Sequence, residues 1–192
     1  MNKLVFFASG SGSNFQAVID AIENNEINAD ISGLITDNES AGAILRAKNH
    51  NININVIRDF GTDLSIEQLV NQLSEWQPDL IVLAGFLKKI PDEITRLYPN
   101  KIINIHPSLL PKYGGKGFYG KRVHQAVLDS GDTLSGCTVH YVNEKYDDGK
   151  IIQQKTVDVL PSDTAESLAN RVLSEEHKLL PEVIKQILNQ NN

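Results

Sequence analysis

The sequence predicts an α/β protein with a Rossmann-like, mainly parallel twisted sheet of about seven strands and helices on both faces. Short apolar runs alternate with segments whose apolar residues recur every three or four positions, which is typical of repeated βαβ units. The apolar run at 78–86 is unbroken, as expected for a strand buried on both faces of a parallel sheet. No internal repeat or low-complexity linker divides the chain, so we predict a single domain over residues 1–192.

The first two predicted strands flank an amphipathic helix. Residues 3–8 (KLVFFA) and 29–36 (ADISGLIT) are short apolar runs and are predicted as strands. The helix predicted over 14–24 has one apolar face, made of Phe15, Val18, Ile19 and Ile22. A second helix over 40–50 then leads to a short third strand over 54–57.

The middle of the chain continues this alternation. The helix predicted over 63–76 carries apolar residues at three- and four-residue steps, namely Leu64, Ile66, Leu69, Val70 and Leu73. It precedes the buried strand at 78–86 and a further apolar strand at 101–106. A helix over 121–131 follows and is closed by Gly131, because glycine readily adopts the left-handed conformation that ends helices.

The last part of the chain contains two predicted strands and a long helix. The strand at 149–160 alternates apolar and polar residues, unlike the strand at 134–142, so it is predicted to lie nearer the sheet edge. The helix over 164–190 is predicted to be interrupted by Pro181, since proline removes a donor from a helix interior. The Gly-rich stretch 111–120 is predicted to be a loop within the domain.

Composition excludes several classes of protein. The net charge of −6 and the pI near 5.3 argue against a general nucleic-acid or membrane-surface binder, whose footprint would be basic. No apolar run approaches the roughly 20 residues of a membrane span. Cys137 is the single cysteine and cannot form an intrachain disulfide. We therefore expect a cytoplasmic protein that binds small molecules.

The loop SGSGSN at 9–14 joins the first strand to the first helix, where open α/β sheets bind ligands. Gly10 and Gly12 allow close backbone approach, and Ser13 or Asn14 can cap a helix whose N–H groups attract an anion. The loop therefore predicts phosphate binding, with a tight strand-to-helix turn as the alternative.

The identity of the phosphate ligand stays open at this point. A dinucleotide fingerprint requires a third glycine near position 15, which is Phe15, although Asp37 could serve as the acidic residue after the second strand. An NAD-dependent enzyme is therefore a weaker alternative. No Walker-type GK[ST] follows the loop, which argues against an NTPase.

Polar side chains end the strand at 101–106. Asn104 and His106 occupy alternate positions and so point to the same face, and Pro107 ends the strand. Asp147 and Asp148 lie in a turn between two later strands that can reach His106 if those strands are neighbours. A carboxylate there would raise the pKa of the imidazole, and the amide could donate to a developing oxyanion. A structural histidine and an ordinary DDG turn are the alternatives.

The other histidines show no metal-ligand spacing with each other or with Cys137, so we predict no metal site. These histidines are His50, His124, His140 and His177. His140 is predicted to be half-buried and structural, with a position near the site as the alternative.

Four stretches together resemble one enzyme family. FFASGSGSNFQAVIDAI, PDLIVLAGFLKKIP, NIHPSLLPKY and TVHYVNEKYDDGKIIQQ look like the signatures of phosphoribosylglycinamide formyltransferase, in that order. The resemblance covers about residues 3 to 188, and NIHPSLLP alone marks the wider folate-dependent formyltransferase group. Methionyl-tRNA formyltransferase and formyltetrahydrofolate deformylase each carry an extra domain for which this chain has no room.

The resemblance implies the formyltransferase fold and a reaction in de novo purine synthesis, in which the amine of 5-phosphoribosylglycinamide attacks the formyl carbon of 10-formyltetrahydrofolate. It implies that His106 is the general acid, that Asn104 holds the formyl oxygen, and that Asp147 tunes His106 and orders a proton-shuttling water. The substrate-binding residues that it implies are Gly12, Ser13, Asn14, Pro107 and Glu176. Those that it implies for the folate are Leu87, Lys88, Lys89, Ile90, Asn104, Asn143 and Asp147.

The chain departs from the family pattern at several positions. It has Gly115 where many relatives have proline, and its connection before the next helix is longer, so residues 114–120 are predicted to form a mobile lid. Thr62 stands where some relatives have an arginine near the folate tail. Asp148 occupies a position that is often glycine and is predicted to be a solvated turn residue.

Three hypotheses of different kinds remain. The first is the purine-synthesis enzyme, and the second is a formyltransferase acting on another amine, such as a nucleotide-linked amino sugar. The third is a nucleotide-binding or regulatory module that kept the fold and lost the chemistry. The presence of Asn104, His106 and Asp147 together argues against the third. The predicted assembly is a monomer or a homodimer.

Overall fold

The computed structural model describes residues 1–190. The strands are β1 (Asn2–Phe7), β2 (Ala29–Thr36), β3 (Ile54–Val56), β4 (Leu80–Ala84), β5 (Ile102–His106), β6 (Leu134–Tyr141) and β7 (Ile151–Asp158). The helices are α1 (Ser13–Glu23), α2 (Gly42–Asn49), α3 (Asp63–Trp76), α4 (Asp92–Leu97), α5 (Lys121–Ser130) and α6 (Ala165–Gln190).

The strands form one seven-stranded sheet in the order β3-β2-β1-β4-β5-β6-β7. Strands β1 to β5 pair in parallel, whereas β6 runs antiparallel to β5, and β7 runs antiparallel to β6. The predicted α/β class and mainly parallel sheet are therefore confirmed, as is the edge position of β7. The antiparallel register places His140 opposite Asn104 and Thr138 opposite His106.

Each face of the sheet packs against its own set of helices. Successive residues of a strand point to opposite faces, so Phe6 belongs to the core beneath α1 and α6, whereas Phe7 belongs to the core beneath α3 and α4. All five residues of β4 are buried. Burial on both faces explains why the apolar run at this strand is unbroken.

Two predictions about helices are incomplete or wrong. Sequence periodicity missed α4, whose six residues are too few to show a helical repeat. The predicted break at Pro181 is wrong, because α6 continues through the proline to Gln190. Interior proline costs a helix about 3 kcal/mol. Leu179, Leu180, Val183 and Ile184 are fully buried around this position, and their burial outweighs that cost.

Candidate active site

A cavity of about 870 Å³ opens beyond the carboxyl ends of β1, β4 and β5. Loops that leave these strands form one side of it, and the first turn of α5 and the first half of α6 form the other. Parallel α/β sheets bind ligands at this edge, because the strand order reverses there and leaves a crevice between neighbouring loops. The cavity contains both the predicted phosphate loop and the predicted polar cluster.

The loop before α1 leaves the N–H groups of the helix free of side-chain caps. Gly12 is the N-cap residue, with φ +71°, and it makes no side-chain hydrogen bond to the helix. The prediction that Ser13 or Asn14 caps α1 is wrong, because the helix begins at Ser13 and both residues lie inside its first turn. Uncapped N–H groups at a helix start attract anions through the helix dipole.

Helix α2 holds this loop against the sheet. The backbone N–H of Ala43 donates to the carbonyl of Gly10 over 3.1 Å, and Nε of Arg46 donates to the carbonyl of Ser11 over 2.8 Å. A Cβ atom at Gly12 would lie 2.7 Å from Cβ of Ala43, so no larger residue fits without displacement. The loop therefore depends on glycine for both its conformation and its packing.

The side chain of Asn14 binds a buried carboxyl group on α6. Nδ2 of Asn14 donates to Oε2 of Glu176 over 2.7 Å, and Oδ1 of Asn14 has no hydrogen-bond partner among residues 1–190. Burial raises the pKa of Glu176 to about 7, although the hydrogen bond from Asn14 opposes the rise. Both residues line the cavity, so the spare acceptor atoms of this pair face a possible ligand.

Asn104, His106 and Asp147 come together at the end of β5. Nδ1 of His106 lies 3.7 Å from Oδ2 of Asp147, and Nδ2 of Asn104 lies 3.4 Å from Oδ1 of the same carboxylate. Nε2 of His106 donates to the carbonyl of Tyr113 over 2.8 Å. This bond fixes the Nε2–H tautomer of the neutral ring, so a second proton would arrive on Nδ1, beside Asp147.

The pKa of His106 lies below its usual value, and the prediction that the carboxylate raises it overall is wrong. Burial lowers the pKa of His106, and this effect exceeds the attraction of Asp147 and the hydrogen bond to Tyr113. Burial alone would raise the pKa of Asp147, but His140, His106 and the N–H of Gly115 together hold it below its usual value. The resting pair is therefore a neutral imidazole beside a carboxylate.

Sequence reasoning missed the part that His140 plays in the cluster. His140 is 2% exposed rather than half-buried. Its Nδ1 donates to the carbonyl of Tyr141 over 2.8 Å, so its Nε2 accepts from Nδ2 of Asn104 over 3.1 Å. This pair orients the amide of Asn104. The antiparallel register that places the two side by side is the signal that could have identified it.

The turn after β6 must fold back to bring Asp147 to His106. Because β6 is antiparallel to β5, its last residue pairs with Ile103, toward the end of β5 away from His106. Asp147 adopts φ +51°, and its Oδ2 accepts the N–H of Gly115 over 2.8 Å. Gly149 follows in the same turn, and a Cβ there would lie 1.7 Å from the carbonyl oxygen of Tyr141, so close packing requires glycine at this position.

The residues predicted to bind folate are divided between the cavity and its surroundings. Leu87, Asn104 and Asp147 line the cavity, as does Pro107 from the predicted substrate site. The remaining folate residues lie outside its lining: Lys88, Lys89, Ile90 and Asn143. Tyr146, from the loop 143–147 expected at the folate, and Phe118 and Tyr119, from the predicted lid, also line the cavity. Sequence reasoning did not select three further lining residues: Gly85, Phe86 and His124.

The departures from the family pattern have distinct structural roles. The loop 114–120 lies over the cavity, with Gly115 at φ +92° and Gly117 at φ +98°. Oγ1 of Thr62 accepts the N–H of Ser65 and caps α3. The side chain of Asp148 is 56% exposed, as predicted for a solvated turn residue.

Within residues 1–190 we find no group of three or more His, Cys, Asp or Glu side chains arranged to hold a metal ion. The helices of the same residues include none that is long and apolar enough to cross a membrane.

Comparison with known proteins agrees with these features. The family described as formyl transferase matches residues 2–184. The chloroplastic phosphoribosylglycinamide formyltransferase of Arabidopsis thaliana is 45% identical over 186 residues, which is 95% of this chain and 64% of that protein. The phosphoribosylglycinamide formyltransferase of Bacillus subtilis is 37% identical, with 100% of this chain and 97% of that protein covered.

A solved structure has the same fold. The crystal structure of glycinamide ribonucleotide transformylase 1 from Geobacillus kaustophilus superimposes with a TM-score of 0.90 at 36% identity and covers 98% of this chain and 99% of that chain. This chain spans about three fifths of the length of the two chloroplast relatives, 64% and 60%.

Proposed function

This chain belongs to the formyl transferase family, among the phosphoribosylglycinamide formyltransferases, and on that premise we propose the reaction that it catalyses. The proposed enzyme transfers the formyl group of 10-formyltetrahydrofolate to the amine of 5-phosphoribosylglycinamide. The products are formylglycinamide ribonucleotide and tetrahydrofolate, in the third step of de novo purine synthesis. The observation that carries the proposal is the cluster of Asn104, His106 and Asp147 in a cavity that also holds an uncapped helix start.

The reaction requires stabilisation of an oxyanion and transfer of a proton. Attack of the amine on the formyl carbon forms a C–N bond and a tetrahedral adduct with a negatively charged oxygen. The attacking nitrogen must then lose a proton, and the folate nitrogen must gain one as its C–N bond breaks. An N–H donor for the oxygen and one proton-transfer group meet these needs, so no covalent nucleophile is required.

His106 is proposed as the proton-transfer group. A lowered pKa leaves its ring neutral in the free enzyme, so it must first collect the proton that the amine releases. Asp147, 3.7 Å from Nδ1, would stabilise the resulting imidazolium and order the water through which the proton moves. The imidazolium would then act as the general acid toward the folate nitrogen.

Asn104 is proposed to hold the formyl oxygen. Its Nδ2 has two hydrogens, one directed to His140 over 3.1 Å and one to Asp147 over 3.4 Å. The longer contact is at the limit of a hydrogen bond, so a substrate oxygen that approaches closely can compete for that hydrogen. His140 would keep the amide in the donating orientation throughout.

The substrate phosphate is proposed to bind at the start of α1. Because the side chain of Asn14 is engaged with Glu176, the backbone N–H groups of Gly12, Ser13 and Asn14 are the donors left for a phosphate. Glu176 is proposed to bind ribose hydroxyls, and Pro107 to contact the substrate near the reacting amine.

The folate is proposed to lie on the side of the cavity formed by residues 87–90 and 143–147, with backbone groups as its main partners. Leu87 and Asp147 line the cavity directly, and Lys88, Lys89, Ile90 and Asn143 would support these two segments. The one-carbon donor is a co-substrate, and no metal is proposed. We further propose a single catalytic domain over residues 1–192 and a cytoplasmic enzyme, monomeric or homodimeric, that binds neither nucleic acid nor membrane.

The test is formyl transfer from 10-formyl-5,8-dideazafolate to 5-phosphoribosylglycinamide by the wild type and by His106→Ala. We expect turnover by the wild type and its loss in His106→Ala, with the fold intact by circular dichroism. His50→Ala is the matched control, because His50 is the C-cap residue of α2, contacts Glu23 and does not line the cavity, so this variant should keep full activity. If the wild type shows no turnover, 5-phosphoribosylglycinamide is not the substrate and another amine is favoured. Full turnover by His106→Ala would refute the proposed role of His106 in proton transfer.

A further inference from the structure

His124 lies in the wall of the active-site cavity and has no assigned task. It belongs to the first turn of α5 and is 4% exposed, between the buried residues Val123 and Val127. Its ring lines the same cavity as His106. Its Nδ1 is buried and has no hydrogen-bond partner within residues 1–190.

An unpaired buried nitrogen is costly to the folded protein. Burying a polar atom without a hydrogen-bond partner lowers the stability of the fold by about 1–3 kcal/mol, so such atoms are rare and need an explanation. The other buried residues of α5 are Val123 and Val127, and an apolar ring at position 124 would pack beside them at a lower cost than an imidazole. Packing of α5 therefore gives no reason for a histidine at this position.

A second unpaired atom belongs to the lining of the same cavity. Oδ1 of Asn14 is buried and has no hydrogen-bond partner within residues 1–190, while Nδ2 of Asn14 donates to the buried carboxyl group of Glu176. Oδ1 is an acceptor, so it needs a hydroxyl or N–H donor, which a ligand can supply. Asn14 lies in the first turn of α1 and His124 in the first turn of α5, so two helices contribute unpaired buried atoms to one cavity.

The imidazole of His124 is neutral at physiological pH. Burial, and to a smaller extent the charge that His106 can carry, lower the pKa of His124 to about 4. A neutral imidazole has one N–H donor and one acceptor nitrogen, which suits a hydroxyl or amide group better than a phosphate. Within residues 1–190 no hydrogen-bond partner fixes the protonation of Nδ1 of His124, so a ligand can select the tautomer.

We infer that His124 is a substrate-binding residue that hydrogen-bonds an uncharged polar group of the amine substrate, either a sugar hydroxyl or the amide. This inference rests on the proposed function for the identity of that substrate. It assigns to α5 a part in recognising the sugar side of the cavity, together with Asn14 and Glu176. The folate side of the cavity is formed by other segments and should not depend on His124.

The test compares His124→Phe, which removes both ring nitrogens, with His124→Asn, which retains one donor and one acceptor. His177→Phe is the matched control, because His177 also has a buried nitrogen without a partner but does not line the cavity. Calorimetry measures binding of 5-phosphoribosylglycinamide and of ribose 5-phosphate, which lacks the amide. Steady-state kinetics measures KM for the amine substrate and for 10-formyl-5,8-dideazafolate.

We expect His124→Phe to weaken binding of 5-phosphoribosylglycinamide about tenfold, as for one lost hydrogen bond. KM for the amine substrate should rise by the same factor, with KM for the folate analogue unchanged. His124→Asn should recover most of the affinity, and His177→Phe should bind like the wild type. An equal loss for ribose 5-phosphate identifies a sugar hydroxyl as the partner, and a loss confined to 5-phosphoribosylglycinamide identifies the amide.

Unchanged binding of both ligands by a folded His124→Phe would overturn the inference. If that variant does not fold, nitrogen-15 NMR of the wild type decides, with the His124 signals assigned by their loss in His124→Asn. Ring shifts that stay constant on saturation with 5-phosphoribosylglycinamide would overturn the inference as well. Failure of the proposed function can be told apart from failure of this inference. The first appears as absent turnover by the wild type, whereas the second appears as unchanged ligand binding by the His124 variant.

Discussion

Replacement of Asp147 by asparagine tests whether the carboxylate stabilises a charged His106 during the reaction. The change removes one negative charge and keeps the size of the side chain. The amide oxygen can still accept the N–H of Gly115, which now donates to Oδ2 over 2.8 Å. The turn should therefore keep its position, so that a loss of activity reports the charge.

The size of the effect follows from the distance between the two groups. At 3.7 Å, a unit charge on Nδ1 of His106 and one on Oδ2 of Asp147 attract by about 1 kcal/mol in a water-like medium and about 4 kcal/mol at the effective dielectric constant of a protein surface. His106 is 5% exposed, so the larger value is the better guide. Each 1.36 kcal/mol is about tenfold in rate, so kcat should fall between about fivefold and a thousandfold.

The assay is formyl transfer at saturating concentrations of both substrates, between pH 6 and pH 9. We expect a lower kcat for Asp147→Asn and only small changes in either KM, because the carboxylate acts on the imidazolium and the proposed contacts of residues 143–147 with the folate are mainly backbone groups. Asp148→Asn is the matched control, since that neighbouring carboxylate is exposed and should change kcat less than twofold. A kcat for Asp147→Asn within threefold of the wild type would refute the reasoning, as would a loss that appears only in KM.

Two further predictions concern stability. Gly12→Ala should lower the free energy of unfolding by about 2–5 kcal/mol and weaken binding of the amine substrate, because the residue has φ +71° and its Cβ would meet Ala43 at 2.7 Å. Gly10→Ala meets nothing within 4 Å and should unfold like the wild type in urea; equal midpoints for both variants would contradict this account. The second prediction is that the free energy of unfolding falls as pH is lowered from about 6.5 to about 4. In this range His124 is protonated in the unfolded chain but stays neutral in the folded protein, where its pKa is about 4. In His124→Asn the decrease in the free energy of unfolding over this pH range should be smaller by about 3 kcal/mol. A urea midpoint whose pH dependence equals that of the wild type would contradict the prediction.

The sequence was sufficient for most of the fold because its helices and strands are strongly periodic. The predicted ranges of β2 and α3 coincide with those of the structure, since an eight-residue apolar run and a fourteen-residue amphipathic helix leave little ambiguity. Short elements gave weaker signals, so α4 was missed. Local rules also overestimated the effect of Pro181, because a rule for a single residue takes no account of the buried side chains on either side of it.

The candidate site was predictable where it depends on a single strand and unpredictable where it depends on pairing between strands. Alternation along β5 was enough to place Asn104 and His106 on one face. The contact of Asn104 with His140 requires the antiparallel register of β5 and β6, which no local pattern encodes. The pKa of His106 was also out of reach, because its direction depends on how deeply the ring is buried as well as on the charge beside it.

The antiparallel register of β6 brings His140 to the polar cluster. Strand β6 places Thr138 beside His106 and His140 beside Asn104 as it runs away from the end of β5. Its last residue pairs with Ile103, so the turn that follows has to fold back before Asp147 can approach His106. A strand parallel to β5 would instead end beside His106 and would place other residues opposite Asn104. We conclude that the antiparallel register makes His140 the partner of Asn104, and that the fold-back of the turn, held by the hydrogen bond from Gly115 to Asp147, brings the carboxylate to the cluster.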